Sequence, residues 1–248
     1  MSEWYKQAFD DLYLEIYSHR DEKEAEKFVS SLGRVVAIEG LVLLDVCCGD
    51  GRYLRAFENA GAIGFGLDLS EVLLERFKAN RADELYRVVR GDMRDFPFRS
   101  ESFDICINMF TSLGYFGTTE EELRVIRETW RALRPGGFFV LDHVNPTWIE
   151  NTLEPRSLRK KGEVLVEERR KMIDGGKAVE KTISIRSVKA PDVPIREYRE
   201  KVALFRKDEL QQMLEQAGYA VVKLFGDYDG SPFQKETSPR LIVLARKP

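Results

Sequence analysis

One stretch, residues 42–54, constrains the fold of this chain more than any other, and it reads VLLDVCCGDGRYL. Its first five residues are apolar apart from Asp45, as in a strand that is buried on both faces of a parallel sheet. Gly49 and Gly51 allow a tight turn into a helix that we predict from about Arg52 to Asn59. The free amide groups at the start of that helix favour a small charged ligand.

The glycine spacing in this turn bears on which ligand it holds. A dinucleotide-binding turn has the spacing Gly-x-Gly-x-x-Gly, and Leu54 occupies the third glycine position here. A nicotinamide-dependent dehydrogenase is therefore an alternative that the motif supports poorly.

Polar side chains recur where the next predicted strands end. Asp68 ends the second strand, at the distance where a carboxylate meets a ribose diol. Asp92 and Met93 follow the third strand and suit the polar edge and the face of a purine. Asn108 and Met109 end a fourth strand. Because parallel strands end at one edge of a sheet, we expect these side chains to line one site.

This series, followed by Arg134-Pro-Gly-Gly137 before a fifth strand, resembles the class I S-adenosylmethionine-dependent methyltransferases, from roughly Leu41 to Asp142 and again in the last forty residues. The resemblance implies an α/β fold, with a Rossmann-like doubly wound seven-stranded sheet and an antiparallel last strand. It implies S-adenosyl-L-methionine as cofactor. The activity it implies is methyl transfer, by in-line displacement, to a nitrogen or oxygen atom of a small-molecule acceptor.

The resemblance also implies the cofactor contacts. The loop from Asp45 to Gly51, with Cys47 and Gly49, would hold the methionine portion, and Asn108 and Met109 would lie beside the sulfonium. Asp68 would bind the ribose hydroxyls, Asp92 would bind the adenine amino group, and Leu69 and Met93 would cover the adenine faces. Tyr13 or Tyr17 of an amino-terminal helix would reach the methionine carboxylate or the substrate. The family usually has glycine where Cys47 stands. A side chain there narrows the cofactor pocket unless it points away.

Two residues are candidates for catalysis. His143 follows Asp142 at the end of the fifth strand, and a histidine titrates near neutral pH, as a general base requires. Tyr115 lies on the loop after the fourth strand, where it would face the acceptor. The alternatives are that His143 satisfies buried carbonyl groups and that Tyr115 only packs. No spacing of metal ligands is present, so no metal is expected.

The order of the predicted elements divides the chain into three parts. Residues 1–40 form an amino-terminal helical cap, residues 41–148 and 207–248 form the cofactor-binding core, and residues 149–206 form an antiparallel β insertion. Within the insertion, alternating runs at 162–173 and 177–188 flank Asp174-Gly-Gly, a hairpin signal, and residues 196–205 offer a third strand. We expect this insertion to be a substrate lid or the contact of a homodimer.

Composition limits the partners. The formal net charge of -3 and the pI near 5.7 provide no general attraction to nucleic acid or to anionic membranes. Three cysteines without disulfide spacing, and no leader or membrane-spanning run, predict a cytoplasmic enzyme. Basic clusters at 156–161 and 169–171 keep an RNA methyltransferase open as an alternative. A non-catalytic scaffold that binds S-adenosylmethionine is a further alternative, opposed by the presence of all the acids and glycines named above.

Overall fold

The computed structural model describes residues 3–9, 11–16, 22–79 and 87–248. Its central sheet has seven strands: β1 (Val42–Val46), β2 (Ile63–Asp68), β3 (Val88–Arg90), β4 (Phe103–Asn108), β5 (Leu133–Val144), β10 (Ala220–Phe225) and β11 (Arg240–Arg246). Their order is β10-β11-β5-β4-β1-β2-β3, and only β11 runs antiparallel to its neighbours. The predicted Rossmann-like sheet with an antiparallel last strand is confirmed.

Helices cover both faces of this sheet. Helices α3 (Glu22–Leu32), α4 (Arg52–Asn59) and α5 (Glu71–Ala79) pack on one face, α6 (Thr119–Ala132) and α8 (Lys207–Gln216) pack on the other, and α7 (Pro146–Thr152) follows β5. Leu43 and Leu44 belong to the apolar cores on opposite faces, because successive side chains of a strand point to opposite sides. The apolar run of β1 therefore serves two cores at once.

A second, four-stranded sheet follows α7, and we call it the insert sheet. It consists of β6 (Arg156–Lys161), β7 (Val164–Ile173), β8 (Ala178–Ser187) and β9 (Ala190–Ala203), each antiparallel to the next. The predicted hairpin turn joins β7 to β8, with Gly175 and Gly176 at φ of 64° and 87°. Strand β6 was not predicted, and β9 starts six residues before the predicted third strand.

The insert sheet turns one face toward the core. Helices α1 (Tyr5–Ala8) and α2 (Asp11–Ile16) lie on that side, and Ile16 packs against Val166, Ile183 and Ile185. Strand β9 is attached to the core by a hydrogen bond from the Ala203 amide to the Gly114 carbonyl, 2.8 Å long. The two sheets thus enclose the space beyond the carboxyl ends of β1, β4 and β5. Within the described ranges, no helix has both the length and the apolar character needed to cross a membrane.

Candidate active site

A cavity of about 780 Å³ lies between the two sheets. Its first wall is the edge of the central sheet where the parallel strands end, its second is the amino-terminal segment, represented by Trp4, Phe9 and Tyr13, and its third is the inner face of the insert sheet. This is the position where open α/β sheets bind ligands. The volume is that of a typical small-molecule site.

The turn after β1 requires its glycines. Gly49 and Gly51 have φ of 57° and 84°, and a Cβ atom at Gly51 would lie 2.2 Å from the ring of Phe77. The turn brings α4 to begin at Arg52, as predicted, and the Gly49 amide donates a hydrogen bond to Asp68 Oδ2 over 2.8 Å. The ends of β1 and β2 are therefore held together. Gly49 borders the cavity, whereas Gly51 shapes the turn behind it.

Asp45 is a buried acid on the cavity wall, with 3% of its surface exposed. Among the described residues, none donates a hydrogen bond to its carboxyl group. Burial raises the pKa of Asp45 to about 8, the charge of Asp68 adds to this, and Arg52 acts in the opposite direction. A buried carboxyl group without a donor suits a ligand that carries positive charge.

Asp68 also lines the cavity and is 8% exposed. Its Oδ1 accepts a hydrogen bond from the Ser70 amide over 2.8 Å, and its Oδ2 is the acceptor for Gly49. Burial raises the pKa of this carboxyl group, and the backbone amides oppose the rise. Each carboxylate oxygen can accept a second hydrogen bond, so a diol can still bind here. The neighbouring Leu69 lines the cavity as well.

Asp92 and Met93 form the end of the cavity beyond β3. The Asp92 carboxylate accepts hydrogen bonds from the backbone amide and the guanidinium of Arg94, the latter over 2.7 Å to Oδ2. Burial by itself would raise the pKa of Asp92, but Arg94 outweighs it and holds the pKa below its usual value. Asp92 is thus a fixed carboxylate, with the buried Met93 side chain beside it.

Cys47 has a left-handed backbone, with φ of 65°, which is the conformation that favours glycine. Its side chain lines the cavity, and its Sγ lies 3.4 Å from Met93 Sδ. Burial raises the pKa of the thiol well above its usual value, so the group is neutral. Cys47 is thus a residue of the cavity wall, and its thiol packs against Met93, another residue of that wall. The effect of its side chain on the cofactor stays a prediction.

The two residues that were predicted to lie beside the sulfonium occupy different places in the structure. Met109 lines the cavity, while Asn108 is fully buried beneath it and donates a hydrogen bond from Nδ2 to the Val46 carbonyl over 3.1 Å. Asn108 therefore ties β4 to β1, and its contact with a bound cofactor stays a prediction.

Four aromatic side chains, those of Trp4, Phe9, Tyr13 and Tyr115, gather at the cavity. The ring of Tyr115 lies 4.8 Å from that of Trp4 and 6.1 Å from that of Phe9. Tyr13 contacts Phe9 edge to face at 4.9 Å, and both tyrosines line the cavity. Tyr17 lies outside the described residues.

His143 lies outside the cavity wall and is fully buried. Its Nδ1 is 2.8 Å from the Val144 carbonyl and its Nε2 is 3.2 Å from the Ala203 carbonyl. Burial lowers the pKa of His143 to about 4. The ring is therefore neutral at neutral pH, and its single N–H donates to one of these two carbonyl groups. These surroundings match the alternative of a buried ring that satisfies a carbonyl group, and the role of His143 as a base stays a prediction.

Sequence reasoning missed a buried cluster at the ends of β4, β5 and β11. The Asp142 carboxylate accepts hydrogen bonds from the Phe110 amide (2.8 Å), the Tyr228 hydroxyl (2.7 Å) and the Arg240 guanidinium (2.8 Å). Phe110 and Thr111 both have positive φ, at 63° and 60°. The cluster holds the turn at Phe110 and Thr111 against the cavity. Asp142 and Arg240, two charged residues in mostly apolar strands, were the sequence signal that could have indicated it.

Comparisons with known proteins agree with this geometry. Residues 44–141 match the family model described as methyltransferase domain. The chain is 30% identical over 228 residues to the dTDP-4-amino-2,3,4,6-tetradeoxy-D-glucose N,N-dimethyltransferase of Saccharopolyspora spinosa, an alignment that covers 89% of this chain and 88% of the relative. It is 36% identical over 124 residues to the dTDP-3-amino-3,4,6-trideoxy-alpha-D-glucopyranose N,N-dimethyltransferase of Streptomyces venezuelae, and that alignment spans half of each chain.

Among solved structures, the CcbJ methyltransferase from Streptomyces caelestis has the same fold, with a TM-score of 0.81 at 16% identity over 98% of both chains. The chain belongs to the class I S-adenosylmethionine-dependent methyltransferases, and S-adenosylmethionine is its cofactor. The residues present fit that group, because its positively charged sulfonium and ammonium suit a wall that contains the buried acid Asp45.

Proposed function

We propose that this enzyme transfers a methyl group from S-adenosylmethionine to the amino group of a small molecule of the amino-sugar class. The observation that carries the proposal is the alignment with the Saccharopolyspora spinosa N,N-dimethyltransferase, which covers 89% of this chain. An alignment of that extent reaches beyond the cofactor-binding half into the part of the chain that forms the other side of the cavity. The names of this relative and of the Streptomyces venezuelae enzyme both give a dTDP-linked amino sugar as the methylated compound.

In this proposal, the acids at the strand ends hold the cofactor. Asp68 accepts hydrogen bonds from the ribose hydroxyls and Asp92 accepts one from the adenine amino group. Leu69 and Met93 cover the faces of the adenine, and Asp45 faces the positive charge of the methionine portion. The support for these roles is that all five residues line the same cavity.

S-adenosylmethionine supplies a methyl group on a positively charged sulfur, so the chain itself needs to align an acceptor and exclude water. Alignment of this kind lowers a barrier by roughly 7–11 kcal/mol. Met109, Phe110 and Tyr115 border the space where the acceptor nitrogen would lie. Their apolar surfaces keep the amine neutral, and only the neutral amine has the lone pair that attacks a methyl carbon.

The test is a methyl-transfer assay with a matched pair of acceptors, a dTDP-linked amino deoxysugar and the same compound with a hydroxyl in place of the amine. A peptide with a free amino terminus and total RNA are tested in parallel. We expect one or two methyl groups, read by mass spectrometry, on the amino sugar alone. Methylation confined to RNA, to the peptide or to the hydroxyl compound would overturn the proposal.

A pair of variants tests whether S-adenosylmethionine binds at this site. Asp68→Ala removes the proposed ribose contact and should weaken S-adenosylmethionine binding at least about tenfold, the loss of a hydrogen bond to a charged group. Asp208→Ala, at an acid whose side chain is 91% exposed on α8, is the control and should bind normally. Equal affinity in both variants would show that the ribose assignment is wrong.

A further inference from the structure

Thr111 is a half-buried residue of the cavity wall with a costly backbone conformation. Its φ of 60° lies in the left-handed region, which is rare for a residue whose side chain branches at Cβ. Backbone strain of this kind persists where the surrounding contacts enforce it, and it concentrates at functional sites. The contacts that hold Thr111 in place also determine what its hydroxyl group can still bind.

Both lone pairs of the Thr111 hydroxyl are occupied. The Val144 amide donates a hydrogen bond to Thr111 Oγ1 over 3.0 Å, and the Arg240 guanidinium donates a second over 2.8 Å. Because a hydroxyl has two lone pairs and one proton, this oxygen is already saturated as an acceptor. Among the residues that the structure describes, none accepts the hydroxyl proton. The group is thus left as a hydrogen-bond donor only.

Arg240 strengthens this donor and fixes its direction. The guanidinium forms a 2.7 Å ion pair with Asp142, whose side chain is fully buried, so it is held in place. A hydroxyl oxygen that accepts a hydrogen bond from a cation is polarised, which makes its proton a better donor. The two accepted bonds occupy two tetrahedral positions around the oxygen and leave one for the proton. Thr111 therefore carries one polarised O–H group of fixed direction.

The order of the strands sets Thr111 on the acceptor side of the cavity. The proposed adenosine contacts, Asp68 and Asp92, belong to the ends of β2 and β3, on one side of β1. Thr111 follows β4 and is bonded to the ends of β5 and β11, on the other side of β1. Its neighbour Phe110 borders the space proposed for the acceptor nitrogen. A ligand atom that meets the Thr111 hydroxyl is therefore an atom of the acceptor.

We propose that Thr111 is a specificity-determining residue, whose hydroxyl donates a hydrogen bond to an oxygen atom on a carbon beside the acceptor amine. The proposal rests on the proposed function and adds a substituent that the acceptor carries. A donor-only group needs a partner with a lone pair, and the lone pair of the amine has to stay free to attack the methyl carbon. An oxygen beside the amine provides that partner and helps to hold the nitrogen in line with the methyl group.

The experiment compares two dTDP-linked amino deoxysugars that differ only in one hydroxyl group, on a carbon beside the amine. We expect the wild type to favour the compound with the hydroxyl about tenfold in kcat/KM, the upper range for one hydrogen bond between uncharged groups. Equal kcat/KM values, or a preference for the compound without the hydroxyl, would overturn the proposal.

Variants at Thr111 then assign the preference to its hydroxyl. Thr111→Val removes the hydroxyl and keeps the shape, so the preference should disappear, whereas Thr111→Ser should retain it. The bonds from Val144 and Arg240 that Thr111→Val also loses affect both compounds alike and cancel in the ratio of their kcat/KM values. Ser112→Ala is the control, because the Ser112 hydroxyl already donates to the Met109 carbonyl over 2.9 Å, and the ratio should be unchanged. A full preference in Thr111→Val would overturn the assignment.

Cofactor binding distinguishes this role from a contact with S-adenosylmethionine. Thr111→Val should bind S-adenosylhomocysteine within about twofold of the wild type, as measured by calorimetry. A loss of about tenfold would show that Thr111 acts on the cofactor, and would overturn the proposal. If Thr111→Val does not fold, Thr111→Ala removes the same hydroxyl with less bulk and replaces it in each measurement.

A second binding measurement separates this inference from the proposed function. If neither sugar is methylated, the proposed function fails, and the Thr111 contact is still tested by titrating the protein with the hydroxyl compound in the presence of S-adenosylhomocysteine. Binding that weakens about tenfold in Thr111→Val but not in Thr111→Ser supports the contact. Absence of binding, or equal binding in both variants, overturns it.

Discussion

Asp45 is held in surroundings that reduce the stability of the free protein at neutral and alkaline pH. Its pKa is raised by burial from 3.8 to about 8, and the charge of Asp68 contributes to the rise. Between those two values the folded protein binds more protons at this group than the unfolded chain does. The stability of the folded state therefore falls as the pH rises from about 4 to about 8.

The first prediction concerns Asp45→Asn. The variant should melt at a higher temperature than the wild type at pH 8, and the difference should disappear toward pH 4, because a neutral amide avoids the cost of a buried charge. Its affinity for S-adenosylmethionine should fall at least about tenfold. Thermal unfolding against pH and titration calorimetry measure the two effects, and undiminished cofactor affinity would contradict the proposed contact.

The raised pKa of Asp45 also predicts that the wild type releases a proton when the cofactor binds. A bound cation favours the carboxylate form of Asp45, so cofactor binding at pH 7 should release a proton from this group. Calorimetry in two buffers of different ionisation enthalpy detects the release. Asp45→Asn should show a smaller buffer dependence than the wild type.

Cys47 supports a second prediction, because its φ of 65° is costly for any residue with a Cβ. Cys47→Gly should be tolerated, since glycine adopts this backbone without strain. Cys47→Val should lose roughly 1–3 kcal/mol of unfolding free energy and should weaken cofactor binding by crowding the wall. Urea unfolding and calorimetry measure both variants. Cys106→Val is the control, since Cys106 lies in the regular strand β4, and a loss there as large as in Cys47→Val would argue against backbone strain.

Single residues at strand ends were readable from the sequence because a strand ends where its apolar run ends. Asp45, Asp68 and Asp92 all line the cavity for that reason. Asn108 and Met109 could not be told apart in the same way, because neighbouring side chains point in opposite directions and the sequence does not say which one faces the site.

At the scale of elements, the contact between the loop after β4 and the end of β9 determines how the insert sheet meets the core. Gly114 has φ of 111°, and a Cβ atom there would lie 2.7 Å from the Ala203 carbonyl oxygen. The Gly114 amide also donates a hydrogen bond to Glu122, over 2.9 Å. This position therefore leaves no room for a side chain.

The third prediction is that Gly114→Ala displaces β9 and lowers turnover more than cofactor affinity, because Val202 and Leu204 of that region line the acceptor side of the cavity. A fall in kcat/KM of at least about tenfold is expected. Gly175→Ala is the control: it has a positive φ of 64° in the hairpin turn but open space around it, so it carries the strain without the clash. Equal losses of activity in the two variants would contradict this account.

Two features at this scale could not be predicted from the sequence, for different reasons. Strand β6 has the sequence RSLRKK, and its charged residues concealed the alternation of half-buried and exposed positions that its pairing with β7 produces. Asp142 and Arg240 are 98 residues apart, so their hydrogen bond exists only after β5 and β11 pair. Local patterns find elements, but contacts between distant elements depend on the assembled sheet.

At the scale of the whole molecule, His143 lies where the two sheets meet, since it is the next-to-last residue of β5 and its Nε2 lies 3.2 Å from the Ala203 carbonyl of β9. Its pKa is lowered by burial from 6.5 to about 4. Between these values the unfolded chain binds more protons at this group than the folded protein. The stability that depends on His143 is thus fully present above about pH 6.5 and is lost as the pH falls toward 4.

The fourth prediction is that the wild type loses on the order of 3 kcal/mol of unfolding free energy through this group between pH 6.5 and 4, the equivalent of its pKa shift. His143→Gln should lose less over the same range, as measured by urea unfolding. Its pH–rate profile should keep the acidic limb of the wild type if His143 only joins the sheets. Loss of that limb in His143→Gln would assign the base to His143.

Apart from the amino-terminal segment and Arg240, the residues that line the cavity come from two separate stretches of the chain. Residues between 45 and 116 supply the side nearest the strand ends, and residues between 144 and 204 supply the side formed by α7 and the insert sheet. A recombination event that exchanges the second stretch between related genes would change which compound is modified while the donor chemistry stays intact. The arrangement makes the enzyme modular for evolution and for the design of chimeras.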